Sequence, residues 1–153
     1  MLIQFQDYLS SENIYLWANL GVLPFWFMLI LIPNSRFTQI FVNSIIAPLI
    51  LCAAYVYIIY QSFLLDEPIL DFFLLYVSLD NLYTVFATES FLLIFWLHFL
   101  SLNLFLGSWV SRDSVKYNIS RSLTFVPLIL IYFTGPIGLV LYWLIRTFYS
   151  KKL

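Results

Sequence analysis

The chain has 153 residues, 63% of them hydrophobic and only 10% charged, with a net charge of −1. Soluble domains are about 45–50% apolar and about 25% charged, and a domain this small could not hide the excess from water, so lipid is the expected solvent. Seven basic against eight acidic residues leave no cationic field for a nucleic acid; a lone cysteine, Cys52, excludes an internal disulfide or multi-thiolate site, and a lone histidine, His98, excludes a bis-histidine haem. Neither a metal site nor a cofactor is expected.

Uncharged runs cover residues 13–35, 37–65, 90–111 and 122–145. A helix needs about 20 residues to cross the hydrocarbon core, so the pattern predicts spans over about 13–33, 40–62, 90–110 and 123–145. The expected fold is all-α: one domain, 1–153, forming an integral-membrane four-helix bundle. Ahead of the first span there is no Lys or Arg in twelve residues, so that helix is expected to stay in the membrane rather than be cleaved as a signal. Between the second and third spans, residues 66–88 carry Asp71 and Asp80 around an apolar centre, which reads as a short helix lying along the interface. Four spans put Arg36, Arg112, Lys116 and Arg121 on one side against Arg146, Lys151 and Lys152 on the other. By the positive-inside rule this favours termini outside, four to three.

Prolines punctuate three of the four spans: Pro24, Pro48, and the pair Pro127 and Pro136. Read as helix-interior prolines, they strain bonds to the carbonyls of Leu20, Ser44, Leu123 and Tyr132 and kink the helices around a straight third span. Gly135-Pro136-Ile137-Gly138 leaves backbone bare on the fourth span, which suits a tight helix crossing or, alternatively, a hinge or pocket wall. Thr134 is placed to bond back to a carbonyl one turn earlier.

The third span holds the polar residues that need an explanation: Trp96, His98, Asn103 and, beyond them, Asp113. His98 shares a helical stripe with Ser101, Phe105 and Trp109, while Asn103 stands about 140° away, beside Trp96, Leu100 and Gly107. The two therefore address different neighbours. His98 needs a partner from another helix, with Asn19, Asn43, Tyr55 and Tyr132 as candidates, and an intramembrane imidazole is either a hydrogen-bonded packing element or an acid–base group. Trp17, Trp26, Trp109, Trp143 and Tyr149 read as interfacial aromatics.

The blocks Asn19-Leu20-Gly21-Val22-Leu23-Pro24-Phe25, Ile32-Pro33-Asn34-Ser35, Tyr55-Val56-Tyr57, Trp96-Leu97-His98, Asn103-Leu104-Phe105, Asp113 and Gly135-Pro136-Ile137-Gly138 together resemble the neoxanthin-synthesis membrane family, the plant abscisic-acid-deficient-four proteins and their bacterial relatives. The family places Asp where this chain has Asn103. The resemblance implies a multi-pass protein of a plasma or photosynthetic membrane that binds or isomerises carotenoids or related isoprenoid lipids. On that reading His98 is the candidate acid or base, Trp96, Asn103, Asn19, Tyr55 and Tyr132 the ligand-binding residues, and Pro24, Pro48, Pro127, Gly135, Pro136 and Gly138 structural. An epoxide-opening isomerisation needs an acid at oxygen and a base at carbon. The alternative is a non-catalytic subunit packed against a membrane-protein partner.

Overall fold

Ser10, in extended conformation, offers its hydroxyl to the N–H of Asn13 and so starts α1, Ser11–Leu31. Its buried residues Ile14, Ala18, Val22, Trp26 and Leu29 recur every three or four positions, the stripe of a helix with one packed face. The computed structural model describes residues 9–44, 46–64 and 69–150, and among them every regular element is helical. After α1 come a π-helical turn, Thr38–Val42; α2, Ile46–Leu64; a 3-10 stretch, Ile69–Tyr76; α3, Leu79–Phe86; α4, Glu89–Lys116; α5, Arg121–Thr134; and α6, Pro136–Ser150. Among the described residues, three segments are long and apolar enough to cross a membrane: Ser11–Leu31, Thr38–Ser62 and Glu89–Lys116.

The second expected span begins later as an α-helix than its hydropathy suggests. Thr38 is fully buried and ties the preceding turn together, donating to the Ile32 carbonyl at 2.7 Å and lying 2.8 Å from the Ser35 hydroxyl. Because α2 starts at Ile46, Pro48 is its third residue. Its missing N–H falls among those a first turn leaves unpaired, so no interior bond is lost. Pro136 likewise opens α6, whereas Pro24 and Pro127 do lie inside α1 and α5. The segment expected to lie along the interface is two pieces rather than one, the 3-10 stretch and α3; residues 65–68 lie outside the described residues. No residue of α3 is buried, and Phe86 at its end packs edge-on against Phe91 and Phe95.

Helix α4 is the axis. Its buried positions, among them Leu93, Leu97, Leu100, Leu104 and Val110, point in several directions, toward α1, α2, α5 and α6. Trp26 is one element of this packing rather than an interfacial ring. It is buried because Gly107 of α4 has no side chain: a Cβ there would stand 2.7 Å from the indole, which also meets Tyr132 of α5 edge-on at 5.4 Å.

The largest departure concerns the fourth expected span, 123–145, which is not one helix. Gly135 has φ 64° and ψ −86°, a conformation essentially closed to side-chain-bearing L-residues. Its N–H closes onto the Ile131 carbonyl at 2.9 Å and its own carbonyl accepts from Leu139 at 3.2 Å. Thr134 donates back to the Leu130 carbonyl at 2.7 Å, as its position predicted. A Cβ on Gly138 would collide with the backbone of Pro127 and Ile131, although in a continuous helix residues 127 and 138 would stand about 16 Å apart. Helix α6 thus folds back along α5.

The register along α4 gives the depth of this hairpin. Gly135 abuts Asn103, whose Oδ1 would be 2.6 Å from a Cβ at that glycine. Tyr142 then meets Trp109 edge-on at 5.8 Å, and Arg146 reaches Asp113 and Tyr117. Asn103 lies 14 residues after Glu89 and 13 before Lys116. The hairpin therefore climbs half the height of α4 and returns. Hydropathy cannot see this reversal, because both arms are apolar; the glycine conformation and the close approach at Gly138 create it.

The fold-back sorts the charges. Among the described residues, Arg36, Arg112, Lys116, Arg121 and Arg146 all lie at the end of the bundle where α4 finishes, and Lys151 and Lys152 follow in sequence. Glu12, Asp80 and Glu89 stand in the first turns of α1, α3 and α4, at the opposite end. Asp113 is the one described carboxylate at the basic end, and Arg146 covers it.

Candidate functional site

Several polar residues of α4 are each taken up by a different neighbour. Trp96 donates its indole N–H to Asn19 Oδ1 at 3.2 Å, while Asn19 Nδ2 donates to the Tyr15 carbonyl at 2.7 Å. Ser101 donates to the Pro48 carbonyl at 3.3 Å and lies 3.3 Å from Cys52 Sγ. Ser108 donates to Asn43 Oδ1 at 3.1 Å. Between them these contacts fix α1 and α2 against α4 at several heights, each worth about 1 kcal/mol in lipid.

Of the candidate partners for His98, Asn19, Asn43 and Tyr132 are thus engaged elsewhere. Tyr55 is the residue the imidazole meets, with ring centroids 6.2 Å apart and planes 43° from parallel. His98 is exposed on the face shared by α2 and α4 and has no hydrogen-bond partner among the described residues. Asn103 is on another side, buried beneath the tip of the hairpin, and its Nδ2 is also without a partner there. The structure does not gather His98, Trp96, Asn19, Asn103 and Tyr132 into one pocket. Asn19 and Trp96 serve each other, Tyr132 serves Trp26, and only His98 and Tyr55 share an open surface.

A cleft of about 540 Å³ does exist, between α1 and α2. Its walls carry Ala18, Gly21 and Phe25 on one helix and Ala47, Ala54 and Tyr57 on the other, with Trp17 at the rim. Small residues on both helices keep the walls thin, and Gly21 is open enough that a Cβ would meet no atom within 4 Å. From Ile14 to Phe25 the groove runs about 16 Å along α1. At the acidic end Gln61 Nε2 donates to the Tyr57 hydroxyl, so a nearly all-carbon slot finishes at a polar group. Sequence reading missed Gly21, Ala47 and Ala54. Their only signal was small size on two segments some 30 positions apart, which acquires meaning once the helices are side by side.

A third arrangement lies toward the basic end. Asp113 Oδ2 accepts from the Tyr142 hydroxyl at 2.8 Å and stands 2.7 Å from Arg146 Nε; Arg146 also donates to the Tyr117 hydroxyl at 2.9 Å and lies over its ring at 4.5 Å. The guanidinium Nε–H is not aligned as a hydrogen bond, so the Arg146 contact is one of charge, while Tyr142, fully buried, supplies the directed bond. This cluster pins α6 to α4.

The sequence profile described as ABA DEFICIENT 4-like matches residues 13–142, which takes in α1 to the middle of α6, including the groove and the Gly-Pro-x-Gly reversal. The chain belongs to the ABA4-like family. No curated protein and no solved structure is significantly similar to it. Family membership and the three membrane-length apolar segments together mark this ABA4-like chain as a membrane protein related to neoxanthin synthesis.

Proposed function

We propose that this ABA4-like protein crosses the membrane three times, inserts α5 and α6 as a re-entrant hairpin, and holds a long, flat isoprenoid of the carotenoid class in the groove between α1 and α2. The groove carries the reading. It is nearly free of polar atoms and lined by small side chains together with aromatic rings, which fits a rigid hydrocarbon whose gain comes from close packing rather than from hydrogen bonds. Tyr57 at its polar end offers a partner to a ring hydroxyl. Gly21→Leu tests it: a Cβ at this groove-lining position meets no atom within 4 Å, and the change improves helix propensity by a few tenths of a kcal/mol, up to about 1 kcal/mol. Purified from a carotenoid-producing host, the variant will retain less than about one-tenth of the pigment per protein held by the parent, with an equal or higher melting temperature. Equal pigment retention would sink the proposal.

The isomerase reading rests on His98. An unpaired imidazole facing lipid beside a phenol is costly unless something with a polar group docks there, and a base next to a hydroxyl donor suits opening of a ring epoxide. His98→Gln and His98→Ala will both abolish any pigment conversion while the protein still accumulates in the membrane. If conversion persists, His98 is not the base. If both variants instead fail to accumulate, the non-catalytic scaffold reading is favoured.

A further inference from the structure

The basic end of the bundle holds a second, differently built cleft. About 270 Å³ in volume, it lies between the end of α1 and the first turn of α5, with α4 as its floor. Its lining is apolar in part, through Leu29 and Leu128, and polar in part, through Asn34, Ser111, Ser120 and Arg121. Ser111 is 2% exposed, lines this cleft, and its hydroxyl has no partner among the described residues. A buried hydroxyl left unpaired costs about 1–3 kcal/mol, a penalty that a ligand acceptor would remove.

Two further features point to the charge of that acceptor. Ser120 stands at the N-cap of α5 in extended conformation but makes no side-chain capping bond; its carbonyl takes the N–H groups of Leu123 and Thr124, while those of Arg121 and Ser122, in the first turn of a 14-residue helix, are left without a side-chain acceptor. Arg121 forms part of the wall, and Arg112 lines the adjoining cleft that shares Asn34 and Ser111. We propose that this cleft binds the phosphate group of an anionic lipid, with the oxyanion at Ser111, Arg121 and the α5 N-terminus and one acyl chain running inward along Leu29 and Leu128. A choline headgroup would bring a cation near Arg121 and Arg112 and is disfavoured on charge. The site is separate from the α1–α2 groove and does not depend on a carotenoid occupying it.

The test uses the full chain in a neutral detergent, titrated with phosphatidylglycerol, phosphatidylcholine or inorganic phosphate and followed by thermal melting. Phosphatidylglycerol will bind at least about tenfold tighter than phosphatidylcholine, and Arg121→Gln will remove that preference. Ser111→Ala will melt no lower than the parent without lipid, since it deletes an unpaired group, yet bind phosphatidylglycerol about three- to tenfold more weakly. Arg36→Gln, at the same end but outside the cleft, will change binding by less than about twofold. Inorganic phosphate that stabilises the protein as well as the lipid does would keep the oxyanion site and assign it a soluble source. Equal binding of the two lipids, or equal losses in Arg36→Gln and Arg121→Gln, would overturn the site in favour of diffuse attraction by the basic end.

Discussion

Reporters fused ahead of Ser11 and after Ser150 will be found on opposite sides of the membrane, the first outside and the second in the cytoplasm. Four crossings would place them on the same side, so the result separates the two arrangements without intermediate values. The physical case begins with length. Helix α5 has 14 residues and rises about 21 Å, short of the roughly 30 Å hydrocarbon core. A continuous helix from 123 to 145 would be long enough, but it would carry Arg146 away from Asp113, now 2.7 Å distant, and leave a carboxylate at the end of α4 without its cation. Breaking such a pair costs several kcal/mol where it is shielded from water. The reversal also turns an indecisive charge count into a clear one. With α6 folded back, Arg146 joins Arg36, Arg112, Lys116 and Arg121 at one end, and Glu12, Asp80 and Glu89 stand at the other. Basic residues mark the cytoplasmic side. Same-side reporters would refute the hairpin.

Gly138→Leu will lower stability by about 3 kcal/mol or more and will reduce folded protein in the membrane severalfold, measured by thermal melting in detergent and by accumulation. Its Cβ would strike the backbone of Pro127 and Ile131, and backbone, unlike the end of a long side chain, cannot step aside without unpacking α6 from α5. Gly138→Ala meets the same wall with less volume and will cost about 1–3 kcal/mol. Gly21→Leu is the matched control, the same substitution in another apolar helix where a Cβ meets nothing. If Gly138→Leu were tolerated as well as Gly21→Leu, α5 and α6 would not be packed against each other at this point.

How far the residues alone foretold this arrangement depends on what each signal measures. Hydropathy reports how apolar a run is, and the runs it picks out overlap α1, α2 and α4, although α2 begins as an α-helix six residues after position 40 and α4 continues six residues past position 110. It says nothing about direction, so the turn at Gly135 was invisible even though Gly135, Pro136 and Gly138 had been singled out. What matters there is a positive φ and a backbone approach, both tertiary quantities. Helical stripes separated His98 from Asn103 correctly, because that is arithmetic on one helix, but the partner of each polar residue depends on inter-helix register. Asn19 found Trp96 and Asn43 found Ser108, leaving Tyr55 for His98. Trp26 had the composition of an interfacial ring, and only Gly107 opposite explains its burial. The groove was hardest to foresee, since Gly21 and Ala54 are unremarkable in any membrane helix until they share a wall.

The hairpin also bears on how the polypeptide reaches its final state. In the proposed topology α5 enters and α6 leaves by the same leaflet, so neither helix has to carry a connecting loop across the membrane during synthesis. On that topology Arg121 and Arg146 stay on the cytoplasmic side, where Tyr142 donates to Asp113 and Arg146 donates to the Tyr117 hydroxyl at the end of α4. Insertion of the last quarter of the chain is then a matter of wedging two short apolar rods into a scaffold already in place, with the half-buried Asp113 as the latch that closes behind them.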